Sequence, residues 1–280
     1  MDTTASGLID HHVHLYPAEL NRDPAGWAEA RGETHWARLC VRWRKSGEPV
    51  QEFPDVDGLL RAMDGAGVAR AVLLGWYWEN HDTCAWHNRA MAGWVREHPD
   101  RLAAYATIHP GAAAEVVTSE LRKAREEGLS GLGELSPQSV GVGMVTEGLT
   151  AALGLAAQWG WPVNLHVTDP AGRAYPGKIE TPAEDFFALA RRWPTVKFVL
   201  AHWAGGYDVR EHRNVWVDTA AAPLIHGDAA WAMRGRTVRP EQVLFGSDFP
   251  LRLRPGADAA AGWAEFAGEA RARGLAGGRA

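Results

Sequence analysis

Residues 7–14 read GLIDHHVH, an apolar entry that runs straight into three imidazoles. The length and the leading glycine fit a short buried strand, and side chains two apart on a strand point to one face. His12 and His14 therefore share a direction, while His11 points the other way. What the pair is delivered to depends on the strands that stand beside it.

Seven further short apolar runs follow. They are 70–76 (RAVLLGW), 102–109 (LAAYATIH), 129–135 (LSGLGEL), 161–167 (WPVNLHV), 196–203 (VKFVLAHW), 214–219 (NVWVDT) and 242–248 (QVLFGSD). Helical patterns separate them at 56–67, 83–98, 112–127, 147–158, 182–192, 222–234 and 257–273, with Pro99 and Gly128 as stop signals. Two connections are weak: the one after 214–219, and the one before it, where 209–213 leaves room for little more than one turn. Strands that are apolar on both faces and alternate with helices predict a parallel sheet covered by helices. Eight such units predict an α/β fold, a (β/α)8 TIM barrel, in preference to an open doubly wound sheet, whose glycine-rich phosphate turn after the first strand is missing. With no repeat and no linker, residues 1–280 read as one domain. Two loops are enlarged on the face where barrels of this kind keep their sites: 15–54 after the first strand, rich in Trp, Arg and Pro, and 170–181 after the fifth.

Strand ends on that face carry the chemistry. The first offers His12 and His14, the fourth Glu134, the fifth His166, the sixth His202 and the eighth Asp248. Four imidazoles and two carboxylates suit zinc, iron or manganese, and a carboxylate can bridge two ions. Buried without such a role, they would be costly. Around them, Asp10 suits an outer acceptor that braces the strand or a ligand, Asp218 suits a turn cap or a hydrogen-bond acceptor near the site, and His11 suits packing or hydrogen bonding behind it. His109 can reach the pocket or be structural, and His226 reads as structural. Arg38, Arg42, Arg44 and Lys45 could bind an anionic substrate or form a solvated basic face. Tyr175 and Lys178 sit where a loop could clamp a substrate. Of the 14 Trp, Trp27, Trp36, Trp43, Trp76 and Trp78 fall in presumed loops, as pocket lining or as core.

The composition excludes several classes. A net charge of −5 leaves no basic footprint for nucleic acid, and no stretch approaches the roughly 18 apolar residues of a membrane span. Residues 1–7 lack a basic start and an apolar run, so a signal peptide is not expected. Cys40 and Cys84 match no metal or redox spacing and read as free thiols in a reducing cytoplasm. The expected partner is a small molecule, bulky and anionic if the Trp- and Arg-rich loop is its wall; exposed Trp could instead mark a homo-oligomer interface.

Together the strand ends resemble a known family. I-D-H-H-V-H (9–14) is similar to the D-x-H-x-H signature of the amidohydrolase superfamily, and V-N-L-H (163–166), V-L-A-H-W (199–203) and F-G-S-D-F-P (245–250) match its later motifs in order. H-P-D-R-L (98–102) resembles the helix-to-strand junction of amidohydrolase family 2. The resemblance spans nearly the whole chain and implies a distorted barrel with one or two divalent metals. It places His12, His14 and Asp248 on the first metal, and His166 with His202 on the second. At the fourth strand many binuclear members use a carboxylated lysine, which decarboxylase-like mononuclear members lack. Here G-L-G-E-L-S (131–136) resembles the glutamate-bridged branch that includes TatD-like hydrolases. The expectation is a binuclear hydrolase, with zinc first and iron or manganese as alternatives. Its water would attack an ester, thioester, amide or lactone, with Asp248 as proton shuttle. Single-metal decarboxylation of an aromatic or unsaturated acid is the main alternative. A silent binding barrel and a TatD-like DNA hydrolase are further ones, disfavoured by the complete ligand set and by the acidic net charge.

Overall fold

In the computed structural model, which describes residues 7–275, the eight apolar runs become eight parallel strands among the described residues. They are β1 (Leu8–Val13), β2 (Val68–Leu74), β3 (Leu102–Tyr105), β4 (Leu132–Leu135), β5 (Val163–Leu165), β6 (Phe198–Leu200), β7 (Val215–Asp218) and β8 (Val243–Leu244). Most of residues 1–7, where no signal peptide was expected, lie outside the described residues. β1–β3 form one ladder and β4–β8 another. Parallel bridges at Ala106↔Leu132 and Val13↔Phe249 join the two. Across the second seam His11 donates its amide to Phe245 O (2.8 Å), and Asp248 donates to His12 O (2.9 Å). The sheet thus closes on itself as a barrel. Regular ladders are shorter than the apolar runs, because pairing ends where the strand-end residues turn toward the site.

Eleven helices occupy the connections among the described residues. Three short ones, α1 (Ala18–Arg22), α2 (Pro24–Arg31) and α3 (Thr34–Cys40), fill the loop after β1. The outer layer follows with α4 (Val56–Ala66), α5 (His81–Glu97), α6 (Ala114–Glu126), α7 (Glu147–Trp159) and α8 (Ala183–Arg192); the single turn α9 (Ala201–Ala204) and α10 (Ala222–His226) lie at the strand ends, and α11 (Ala259–Ala272) closes the layer. Their boundaries have local causes. Asp55 and Thr146 accept the Gly58 and Leu149 amides and so cap α4 and α7, whose left-handed C-terminal glycines are Gly67 and Gly160.

Two expected elements differ. The helix over 222–234 stops at His226, because Gly227 takes a φ of 54° and a ψ of −127° that no helix continues; 3-10 and turn structure follows. Residues 209–213 form turns, and the helical turn of that connection lies directly after β6 instead.

The barrel and its inward helix faces make one large apolar core. A second cluster holds Tyr16, Trp36 and Trp78, with Trp27, Phe53 and Trp86 packed against it. Four of the five loop tryptophans, Trp27, Trp36, Trp76 and Trp78, therefore belong to this cluster. Trp43 is 70% exposed, and only Trp76 reaches the cavity described below.

Candidate metal centre

β1 ends with the His12 and His14 rings side by side, their Nε2 atoms 3.2 Å apart. Each ring spends its other nitrogen on an outer acceptor: His12 Nδ1 on Asp218 Oδ2 (2.9 Å) and His14 Nδ1 on Leu74 O (3.2 Å). The second pair comes from beyond β5 and β6. His202 donates Nδ1 to Ala220 O (3.0 Å), and its Nε2 lies 3.2 Å from His166 Nδ1.

Glu134, in β4, stands between the pairs. Its Oε1 lies 2.9 Å from His166 Nδ1 and 3.6 Å from His202 Nε2. Its Oε2 lies 3.6 Å from His14 Nε2 and 3.8 Å from His12 Nε2. Asp248, past β8, puts Oδ1 3.5 Å from His14 Nε2 and 3.7 Å from His12 Nε2, and Oδ2 3.9 Å from His202 Nδ1. All six side chains singled out at the strand ends thus converge.

The donor set fits metal ions. Two nitrogens each about 2.05 Å from one tetrahedral ion lie about 3.3 Å apart, and both histidine pairs are spaced at 3.2 Å. With their Nδ1 protons turned outward, His12 and His14 would set lone pair against lone pair unless a cation lay between. Two groups, His12–His14–Glu134 and Glu134–His166–His202, have ligand atoms all within 4.8 Å of one another, and they share Glu134.

In the metal-free protein, protons fill that role. Burial opposes a charge on His12, but Asp218, Glu134 and Asp248 outweigh it and push its pKa up to about 10. Burial likewise opposes charging His202, and its hydrogen bond to the Glu134 carboxylate and the charge of Asp248 raise it to about 9. Burial would also raise Glu134, yet His166 and His12 hold it well below the usual range. His14 is pushed down by burial and by its charged neighbour His12.

Backbone geometry serves this convergence. Gly246 is the one residue type that fits beside β1, since a Cβ there would stand 2.8 Å from that of His12. His202 and Asp248 sit in the left-handed region at φ 56° and 68°, a conformation that costs of order 1–3 kcal/mol and clusters at functional sites.

Asp218, a possible acceptor from the sequence, binds His12 Nδ1 and Asn164 Nδ2 through Oδ2 and the amides of His202 and Ala220 through Oδ1. Asp10 accepts the His12 and Ser247 amides (2.9 and 3.1 Å). Burial lifts its pKa to about 7 against those hydrogen bonds.

Above the six residues opens a cavity of about 580 Å³. The loop after β1 supplies Leu39, Cys40, Arg42, Arg44 and Gln51, the loop after β5 supplies Arg173 and Tyr175, and α10 adds Leu224 and Ile225. Arg42 stacks over the Tyr175 ring at 5.3 Å, and His35 Nε2 meets Gly177 O at 2.9 Å, so the two enlarged loops grip each other across the mouth. Arg38 and Lys45 do not line the cavity, nor do His109 and His226. Lys178 binds Gly172 O and pins its own loop (2.8 Å). Sequence reasoning passed over Arg173, Gln51 and Asn164; Asn164 lies two residues before His166 and shares its face, the signal that could have found it.

The amidohydrolase family 2 model matches residues 9–276. No curated protein matches the chain. Among solved structures, a 5-carboxyvanillate decarboxylase from Novosphingobium aromaticivorans, complexed with manganese and a nitrobenzoic acid, superposes with a TM-score of 0.66. It is 13% identical, over 95% of this chain and 92% of that one. A probable 2-pyrone-4,6-dicarboxylic acid hydrolase from Acinetobacter baumannii gives 0.59 at 14% identity, over 96% and 94%. An uncharacterised TIM-barrel protein from Bordetella bronchiseptica gives 0.62 at 15%, over 96% and 99%. The fold is thus the barrel of these proteins, and with its family model matched over nearly its whole length, the chain belongs to the amidohydrolase family.

Proposed function

We propose that this protein is a metal-dependent hydrolase of carboxylic-acid derivatives (ester, thioester, amide or lactone). The observation that carries this reading is the placement of the Glu134 carboxylate, with one oxygen toward each histidine pair. His12, His14 and Asp248 would hold one divalent ion and His166 with His202 a second, with Glu134 between them. Zinc is the first candidate and iron or manganese the others. Such ions supply an acidified water and a polarised carbonyl oxygen.

The chain's own residues do the rest. Asp248 stands at the floor of the cavity between the pairs, placed to take the proton of the attacking water and hand it to the leaving group. Arg42, Arg44 and Arg173 line one cavity, and burial lowers the Arg44 pKa while Glu48 only partly offsets it. A carboxylate on the substrate would relieve that concentration of positive charge. Trp76 and Tyr77, stacked at 4.4 Å, offer a flat apolar wall for the substrate body. The gripped loops shield the reacting atoms from bulk water.

A second reading has its own support. The same cavity of arginines and aromatic rings suits an aromatic or unsaturated acid, and the manganese-bound relative is named a decarboxylase. Decarboxylation with a single metal is then the alternative, in which Glu134 is no bridge. Elemental analysis of the purified protein, followed by assays on ester, thioester, amide, lactone and aromatic-acid panels after chelation and metal add-back, separates the two. About two ions per chain with hydrolysis supports the first reading; about one with carbon dioxide release overturns it.

A further inference from the structure

We propose that Asp218 is a positioning residue shared by both histidine pairs: its carboxylate fixes the His12 ring through Nδ1 and holds the His202 backbone in place. The inference rests on the metal reading of the site. Asp218 is fully buried at the end of β7, and it gathers groups from three other strands. Oδ2 takes His12 Nδ1 (2.9 Å) from β1 and Asn164 Nδ2 (3.0 Å) from β5; Oδ1 takes the His202 amide (3.1 Å) after β6 and the Ala220 amide (3.0 Å). An ionised carboxylate only accepts, so His12 must present Nδ1–H to it. In the neutral ring that binds a metal, this leaves the Nε2 lone pair turned toward His14 and Glu134.

Asn164 belongs to the same device. Its Oδ1 is buried without a hydrogen-bond partner among the described residues, so its donor is the half of the amide in use, and it aims Oδ2 at His12. On the other side, the His202 amide lies within the left-handed run His202–Ala204. Its three carbonyls accept the amides of Gly205, Gly206 and Tyr207, and Oδ1 of Asp218 anchors its first amide. One side chain therefore sets a ring tautomer in the first pair and a backbone conformation in the second.

The test uses the full chain, stripped of metal, and zinc competition against a chromophoric chelator. Asp218→Asn keeps the volume and an acceptor for the two amides, but its NH2 can turn toward His12 Nδ1 and drive the ring proton to Nε2. Zinc affinity is expected to fall about 10- to 100-fold, with an altered cobalt(II) absorption spectrum, while the circular dichroism of the metal-free variant stays that of a folded chain. Asn164→Leu is expected to fold and to lose affinity in the same direction by less, which keeps the test decisive if Asp218→Asn does not fold. Wild-type zinc affinity and cobalt spectrum in the folded variants overturn the inference. Failure of the wild type to bind zinc or cobalt overturns the metal reading itself.

Discussion

Glu134 Oε1 meets His166 Nδ1 at 2.9 Å, while Oε2 of the same carboxylate turns to His14 Nε2 at 3.6 Å. On the proposed two-metal reading this side chain is shared between two ions, so replacing it should separate them. Glu134→Gln is expected to lower the metal content from two ions per chain to one, and kcat/KM by on the order of 10²-fold. Elemental analysis decides: two ions retained would remove the bridge.

Metal uptake should be proton-coupled. His12 and His202, raised to about 10 and 9 in the metal-free protein, carry protons at neutral pH that a cation must displace. Zinc affinity should therefore rise with pH up to about 10, and calorimetry in buffers of different ionisation enthalpy should register proton release. For the metal-free protein the sign is opposite. The favourable charged form of these histidines contributes fully below about 6.5, and that stability is lost as pH climbs through 9 to 10.

The arginines should act on substrate binding. Arg42→Ala and Arg173→Ala are each expected to raise KM for a carboxylate-bearing substrate by about tenfold, the worth of a charge-assisted hydrogen bond, with kcat less affected. An uncharged analogue of the same shape should show no change; equal losses for both would assign these residues to loop packing.

Acid sensitivity is expected to have a source away from the centre. His87 Nδ1 accepts the Trp78 indole N–H (3.1 Å), and its Nε2 donates to Leu15 O (2.8 Å). Burial depresses its pKa from 6.5 to about 4, against the bond to Leu15. The stability it contributes is present above pH 6.5 and is lost as pH falls through 4, an amount of about 3 kcal/mol. Urea unfolding of His87→Gln should show a flatter dependence over that window than the wild type.

Much of this architecture was legible because barrels expose their logic in one dimension. Strand alternation put His12 and His14 on one side of β1, and apolar runs marked the other strand ends, where Glu134, His166, His202 and Asp248 lie. What was hidden depends on three-dimensional approach. Asp218 meets His12 across 206 positions of chain, and nothing in V-W-V-D announces that its carboxylate turns inward. For Trp27, Trp36 and Trp78 the sequence left pocket lining and core both open, and the loops after β1 and β2 pack them together as a small core of their own. The helix expected to run to 234 fails at Gly227, where apolar periodicity continues but the backbone does not.

The seam between the first and last strands has a consequence for biosynthesis. Asp248 N binds His12 O across it, so residues at the end of the first strand and past the last strand meet at one spot. A nascent chain extended only through β7 already carries four imidazoles and Glu134, but nothing closes the ring beside His12. The centre is completed only when the final segment arrives, so a prematurely ended polypeptide would have no assembled site with which to act on substrate.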